Sequence, residues 1–309
     1  MTGVNLAALA AGVQVRASAS RHVEVDLEVC SKCPDGCVVH ELDQPRLIAV
    51  GRDPGLMPRV QIDVGEPLLK GEIDFGEDAV FELGRPAPGG ESVGEDEATL
   101  LEQMAWLPEE FGREDAAGVS ARLVRAFQSK RSALEIYRDP ALDAAVAQSV
   151  NFVDFANRVV AAPGTPGAST RTRVHGALED AGWDVNAART VRDLGLVAFN
   201  HGSQMRRTGD YANGLTLAID GVAHGFVFVQ SYRYQSCKAE YTIGLRFVLL
   251  DVFGLDDQDL ATFGAANTWR PREMRGFTAW WQLQHQFGYA PPITKVVVER
   301  SFTVSTKRD

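Results

Sequence analysis

The sequence lacks a long hydrophobic run, and it has few cysteines. No apolar stretch approaches the roughly 20 residues that a helix needs to cross a bilayer, so we do not expect a transmembrane segment. Four cysteines in 309 residues are too few for a disulfide-rich scaffold. With 45% hydrophobic residues, the chain can bury a sizeable core, which excludes global disorder. The length suggests about two domains.

Basic residues are scarce as well. The chain has 31 Lys and Arg against 41 Asp and Glu, which gives a net charge of −10. A nucleic-acid partner requires a basic surface that neutralises phosphates, so no such partner is expected. The excess of acid is regional, because sixteen acidic and only three basic residues lie within 63–115. This stretch is a candidate docking segment for a basic carrier or chaperone.

The amino terminus lacks the basic residues of a secretory signal. A mildly apolar stretch over 4–15 precedes an Ala-Ser-Ala sequence at 17–19, but no Lys or Arg comes before it. We therefore expect any export of the protein to depend on a dedicated secretion machine.

Changes in hydrophobic periodicity divide the chain into four predicted segments. Residues 1–65 predict a small β unit that contains the cysteine cluster, and 66–96, rich in Gly, Pro and Glu, predict an acidic linker. Residues 97–198 predict a helical region, and 199–309 predict an antiparallel sheet packed by helices. The alternative is that residues 97–309 form one domain. The predicted fold class is α+β.

Within these segments, alternation and helical spacing predict individual elements. Helices are predicted from about Asp96, over 119–130, 140–160, 171–181 and 185–194, and near the end over 275–287. Strands are predicted over 22–29, 38–42, 46–50, 60–64, 214–220, 226–234, 239–251 and 293–304.

Four residues with metal-binding side chains lie within eleven positions: Cys30, Cys33, Cys37 and His40. Thiolate sulfur and imidazole nitrogen are ligands of tetrahedral zinc, and a hairpin turn can bring them together. A structural zinc site is therefore predicted, with a Cys30–Cys37 disulfide and free thiols as the alternatives. Four protein ligands leave no open position for catalysis. We assign no role to Cys237.

Two polar residues interrupt apolar surfaces in the last third of the chain. Alternation places Asp251 on the same strand face as Phe247, where a carboxylate needs a partner or a shifted pKa. His285 lies on the aromatic stripe of the helix predicted over 275–287. We predict that Asp251 and His285 lie within hydrogen-bond or one-water reach as an acid/base pair, with a structural hydrogen bond as the alternative. Asp256 is a third candidate, or a helix N-cap.

The same part of the chain resembles a bacterial family known as domain of unknown function 3289. In the family pattern Tyr-Asp-His-Phe-Gly-Leu-Asp, Leu250 replaces the Tyr and Val252 replaces the His. A catalytic role of that His would therefore be lost here. The resemblance covers about 200–304, and the matching stretches are 213–219, 249–256, 276–285, 292–294 and 301–302.

The resemblance implies an antibacterial effector carried by a type VI or related contractile secretion system. Such a protein is made in the bacterial cytoplasm and secreted into a target cell, and its partners are an immunity protein and a secretion spike or chaperone. The Asp251-x-Phe253 pattern is also similar to the lipid II phosphodiesterase toxins of the colicin M type. An envelope-directed hydrolase that uses Asp251, Asp256 and His285 is therefore expected. The alternative is a non-enzymatic membrane-perturbing toxin or a structural module of a secretion particle.

Overall fold

A computed structural model describes residues 36–88, 95–129, 132–161, 173–199, 209–264 and 271–307, with only the backbone for 271–274. The chain divides into two compact units, Met1–Cys37 and Val38–Asp309. Nearly all described residues belong to the second unit, which the following paragraphs describe. The predicted strand over 22–29 lies outside the described residues.

Eight strands are found in the described residues. Their bounds are β1 Val39–Glu41, β2 Arg46–Arg52, β3 Val60–Ile62, β4 Ile73–Phe75, β5 Ile136–Tyr137, β6 His224–Gln235, β7 Glu240–Val252 and β8 Ile293–Ser305.

Nine helices and one 3-10 turn are found in the same residues. The 3-10 turn, Glu77–Ala79, follows β4. The helices are α1 Glu97–Met104, α2 Leu107–Phe111, α3 Val119–Gln128, α4 Pro140–Gln148, α5 Val150–Val160, α6 Val174–Asp180, α7 Leu215–Ala218, α8 Asp257–Phe263 and α9 Pro271–His285. None of them is long and apolar enough to cross a membrane.

The main sheet joins strands from both ends of the described chain. Its order is β1-β6-β7-β8-β5, and β2 also pairs with β6. All of these pairs are antiparallel except the short parallel pair of β5 with β8. The strands β3 and β4 form a separate two-stranded sheet. The predicted α+β class, an antiparallel sheet packed by helices, is confirmed.

Each face of the main sheet packs on a different hydrophobic core. Odd-numbered residues of β7, such as Phe247 and Leu249, belong to the larger core, which also contains the helical residues Phe152 and Trp281. Even-numbered residues of β7 join a smaller core with the segment around β3 and β4, including Phe75. The central strands therefore read as nearly continuous apolar runs, because both of their faces are buried.

Two predicted elements are wrong. Residues 214–220 contain the helix α7 instead of a strand, and it begins after Gly214, whose φ of 85° favours glycine. A short apolar run does not by itself distinguish a strand from a buried helix turn. Residues 185–194 contain no helix, because their backbone bonds to β2: Val191 donates to Ile48 O at 2.8 Å and accepts from Val50 N at 2.9 Å.

The four predicted segments are not separate compact units in this structure. Strands β1 and β2 pair with β6, so part of the predicted N-terminal β unit belongs to the C-terminal sheet. The predicted linker 66–96 contains β4 and the 3-10 turn, and its Glu66 is buried. Residues 38–309 form one compact unit because the same two cores take residues from every segment.

Candidate functional site

Asp251 lies at the end of β7, on the face that packs against the larger core. Its register neighbour on β8 is Thr294, a fully buried residue. Phe247 and Leu249 share this face and are buried in that core. The predicted orientation of Asp251 toward the apolar side is confirmed.

The loop after β7 leads directly into α8, where two carboxylates hold each other in place. Asp256 is the N-cap of α8, and its Oδ1 accepts from the backbone N–H of Asp259 at 2.8 Å. The Oδ2 atom of Asp259 accepts from the backbone N–H of Asp256 at 3.3 Å. This capping box confirms the N-cap alternative for Asp256 and fixes both side chains at the start of the helix.

A buried amide holds the 3-10 turn against this loop. Gln284, fully buried on α9, donates from Nε2 to the carbonyls of Asp78 and Val80 at 2.9 and 2.7 Å. Its Oε1 accepts from the backbone N–H of Leu255 at 3.0 Å. At Gly254, a Cβ atom would lie only 2.0 Å from the Asp78 carbonyl oxygen. Glycine therefore allows the turn to approach the loop closely.

These contacts bring carboxyl groups from distant segments together. One oxygen from each of Asp78, Asp256 and Asp259 lies within 4.8 Å of the others, and the three side chains are half-buried. Asp251 and Asp220 lie near enough to act electrostatically on one another, and Asp251 also senses Asp78 and Asp259. We call these five residues the carboxylate cluster.

Burial and mutual repulsion raise the pKa values of this cluster. Burial, followed by the charges of Asp259 and Asp256, raises the pKa of Asp78 to about 8. Burial, Asp220 and Asp78 raise the pKa of Asp251 well above its usual range. Burial and Asp256 raise the pKa of Asp259 to about 6. With pKa values of about 8 and about 6, Asp78 favours the protonated form at pH 7 and Asp259 favours the ionised form.

The predicted pair of Asp251 and His285 is not joined by a direct hydrogen bond, and reach through one water stays a prediction. Among the described residues no hydrogen bond joins them, and His285 Nε2 lies 2.7 Å from the carbonyl oxygen of Leu255. The other ring nitrogen, Nδ1, lies 3.5 Å from Nη1 of Arg85. Burial lowers the pKa of His285, and the nearby Arg85 lowers it further. A neutral ring that donates from Nε2 fits these contacts, and this is the structural alternative for His285.

Arg85 connects the segment after the 3-10 turn to α8 and α9. Its Nη2 donates to Asp257 Oδ2 at 2.6 Å, and its guanidinium lies 5.9 Å from the centre of the Trp281 ring. Trp281 Nε1 in turn donates to Asp257 Oδ1 at 3.2 Å. Because Asp257 follows the N-cap of α8, these contacts fix the helix that carries Asp259.

The predicted zinc site lies only partly in the described residues. Cys30 and Cys33 fall outside them, whereas Cys37 and Cys237 each take part in a disulfide. His40 stacks on Tyr234, with 6.0 Å between the ring centres. A disulfide sulfur is not a thiolate, so Cys37 does not fit the predicted ligand set in this structure. Structural zinc stays a prediction that requires reduced cysteines, and Cys237 has a structural role that the sequence analysis missed.

The oxygen atoms of the carboxylate cluster suit a different kind of ion. Carboxylates are the ligands that Mg²⁺ and Ca²⁺ prefer, whereas structural zinc is held mainly by Cys and His. Asp78, Asp256 and Asp259 are the described residues that could hold such a hard cation.

Sequence reasoning identified Asp251 and Asp256 but missed Asp78 and Asp220. Asp78 is one of sixteen acidic residues in 63–115, and nothing in its local sequence distinguishes it from the others. Asp220 precedes Gly221, and an Asp-Gly pair indicates only a turn. Asp78 differs from its acidic neighbours in its contacts with α9 and the loop at Gly254, which the local sequence does not show.

Comparisons with known proteins give no match: no family model, curated protein or solved structure corresponds to this chain. The resemblance to domain of unknown function 3289 therefore stays a prediction.

Proposed function

We propose that the chain is an antibacterial effector and that its carboxylate cluster is the acid/base centre of a hydrolase directed at the cell envelope. One observation carries the enzymatic part: Asp78 and Asp259 offer oxygens within 4.8 Å of each other, and their surroundings raise their pKa values to different extents, to about 8 and about 6. Neighbouring carboxyl groups with separated pKa values are typical of hydrolases that need one proton donor and one acceptor.

The two groups would divide the work of hydrolysis between them. Asp259, ionised at pH 7, would accept a proton from the attacking water, and the remaining hydroxide would bond to the electrophilic centre of the substrate. Asp78, protonated at pH 7, would give its proton to the departing oxygen as that bond breaks. The proton gained by Asp259 restores the balance when it returns to Asp78. Both side chains are half-buried, so neither is sealed from solvent.

Delivery to another cell and an envelope substrate rest on the family resemblance of 200–304. The resemblance includes the loop that carries Asp251 and Asp256. The described residues contain no helix that could cross a membrane. The geometry of the carboxylate cluster therefore supports the hydrolase, and the sequence resemblance supports an antibacterial effector that acts on the cell envelope.

The experiment compares growth of bacteria that express the chain with and without a periplasmic signal. We expect the periplasmic form to stop growth and Asp78→Asn and Asp259→Asn to reduce killing by at least about 100-fold, as expected when a general acid or base is lost. Asn keeps the shape of each side chain, and at position 259 it keeps a capping oxygen. The matched control is Asp180→Asn, because the Asp180 side chain is 61% exposed and has no part in the proposed reaction.

Killing that survives both site substitutions in folded protein would contradict the hydrolase and favour the non-enzymatic alternative. Killing that needs no periplasmic signal would instead contradict the envelope substrate. The substitutions test the catalytic residues, and the periplasmic signal tests the compartment of the substrate. The two parts of the proposal are therefore tested separately.

A further inference from the structure

The backbone of β8 alternates between its neighbour β7 and the outer edge of the sheet. Two outward N–H groups have partners near the start of the strand: Ile293 donates to the carbonyl of Glu135 at 2.9 Å, and Val297 donates to Asp143 Oδ1 at 2.8 Å. The pairing of β7 with β8 keeps one constant register along the whole strand. Every odd-numbered residue of β8 therefore presents its N–H and C=O outward.

The outer edge of β8 is open beyond these contacts. β5 pairs only with the first two residues of β8. In the described part of the chain, the outward backbone groups of Glu299, Ser301 and Thr303 have no hydrogen-bond partner, and their side chains are exposed. An open edge of this length is a template for another strand. No proline interrupts it, and the constant register excludes a bulge.

We propose that a second copy of this chain pairs with this edge, antiparallel, with Thr303 on the two-fold axis. Thr303 then faces Thr303 of the second copy, and Phe302 faces Val304. When the pairing extends two residues past the end of β8 at Ser305, Glu299 faces Lys307, so the two-fold axis creates two pairs of opposite charge. Thr–Thr, aromatic–β-branched and opposite-charge pairs are the combinations that stabilise neighbouring antiparallel strands.

The distribution of charge selects this register. Centring the pair on Ser301 would place Glu299 opposite Thr303, and centring it on Phe302 would place Glu299 opposite Ser305, so neither forms a charge pair. A self-complementary patch of this kind produces a closed two-fold dimer rather than a filament. The dimer also covers Phe302, which is only half-buried against the larger core.

The experiment measures the molar mass of the full chain by sedimentation across a range of concentrations. We expect a dimer that Thr303→Pro converts to a monomer, because proline removes an outward N–H but no bond to β7. Thr303→Ala should stay dimeric, since the backbone pairs remain. Glu299→Lys and Lys307→Glu should each raise the dissociation constant about tenfold, because each replaces two attractive pairs by two repulsive ones.

A mixture of the Glu299→Lys and Lys307→Glu chains provides the decisive control. In a mixed dimer, both positions again face opposite charges, so association should return to the wild-type level. A wild-type chain that stays monomeric at millimolar concentration would overturn the proposal. The edge of β8 would then be available only for a strand of a different protein. A dimer that is insensitive to Thr303→Pro, while the variant unfolds like the wild type, would overturn it equally.

Discussion

Gln284 is the residue that joins the two sides of the carboxylate cluster. Its amide bonds to the carbonyls of Asp78 and Val80 and to the N–H of Leu255. Gln284→Leu keeps the approximate size but leaves three buried backbone groups without a partner. We expect the free energy of unfolding to fall by about 2–4 kcal/mol, measured by urea denaturation.

Gln286→Leu is the matched control for this substitution. Gln286 follows α9 and is half-buried, and its backbone accepts from Gly84 whatever the side chain. Its loss should change stability by no more than about 0.5 kcal/mol. If the two variants are equally stable, the amide of Gln284 does not hold the turn and the loop together.

Asp78 should make the stability of the protein decrease as pH rises. Its folded-state pKa of about 8 lies above the ordinary value of 3.8, so the folded state holds a proton that the unfolded state releases. Between about pH 4 and pH 8, this group therefore favours unfolding increasingly. Asp78→Asn removes that effect, and we expect it to raise the free energy of unfolding at pH 8 by about 2 kcal/mol or more.

The raised pKa of Asp78 is tested by comparing the effect of Asp78→Asn on stability at two pH values. The stability difference between Asp78→Asn and the wild type, from urea denaturation, should be large at pH 8 and small near pH 4. A difference that is the same at both would show that the Asp78 carboxyl titrates in its ordinary range. Asp180→Asn, at an exposed carboxylate, should show no such trend.

At this scale, the sequence predicted what depends on local periodicity. Alternation placed Asp251 on the apolar face, and its position before an acidic first turn identified Asp256 as a cap. The sequence could not predict that His285 bonds to the carbonyl of Leu255, because the course of the loop after β7 decides that contact. It could not identify Asp78 either, since the neighbours of Asp78 come from residues about 200 positions away.

Among the elements, the segment before β4 is held to the sheet by a buried ion cluster. Glu66, 3% exposed in its side chain, bonds to Arg246 at 2.7 and 2.9 Å and to Lys295 at 2.7 Å. Burial alone would raise the pKa of Glu66, but the hydrogen bonds from Arg246 and Lys295 hold it below its ordinary value. The segment is therefore held by a charge that must stay ionised.

Glu66→Gln should destabilise the protein at neutral pH by about 3 kcal/mol, because Arg246 and Lys295 lose their buried counter-charge. A lowered pKa gives stability that is complete above the unfolded value of about 4.5 and is lost as pH falls through the folded value. The difference between variant and wild type should therefore shrink below about pH 4.5. Urea denaturation at pH 7 and at lower pH measures it.

Glu72→Gln is the control from the same segment, since Glu72 is exposed. It should change stability little at either pH. If Glu66→Gln and Glu72→Gln behave alike, the ion cluster does not stabilise the attachment of the segment.

Strands and helices were predictable where one period runs through a long stretch. The alternation of 226–234 and 239–251 predicted β6 and β7, and helical spacing predicted α9 near its observed end. The helix predicted over 185–194 is wrong because the apolar residues there recur every three positions. This spacing fits a helix and also an extended segment that packs against a core. The backbone bonds of Val191 to β2 decided between them.

At the scale of the whole molecule, composition predicted the α+β class but not that residues 38–309 form one compact unit. The predicted boundaries followed changes in composition, whereas the fold pairs β1 and β2 with a strand about 180 residues later. The net charge of −10 is a sum over the whole chain and does not give the charge of any one surface. One of the acids in 63–115 is the buried counter-charge Glu66, and another is the protonated Asp78.

The strand β7 is paired with β8 along its entire length, from Glu240 to Val252, and with β6 from Glu240 to Leu250. Its amide hydrogens should therefore exchange with solvent only when the whole unit unfolds. The 3-10 turn has no ladder of strand pairs, and Gln284 and the burial of Ala79 hold it, so we expect it to open locally at a lower free energy than β7. Asp251 is paired with Thr294 of β8, so it belongs to the slowly exchanging strand, whereas Asp78 belongs to a turn outside the sheet. The carboxylate cluster can come apart and reassemble while the sheet beneath it stays intact.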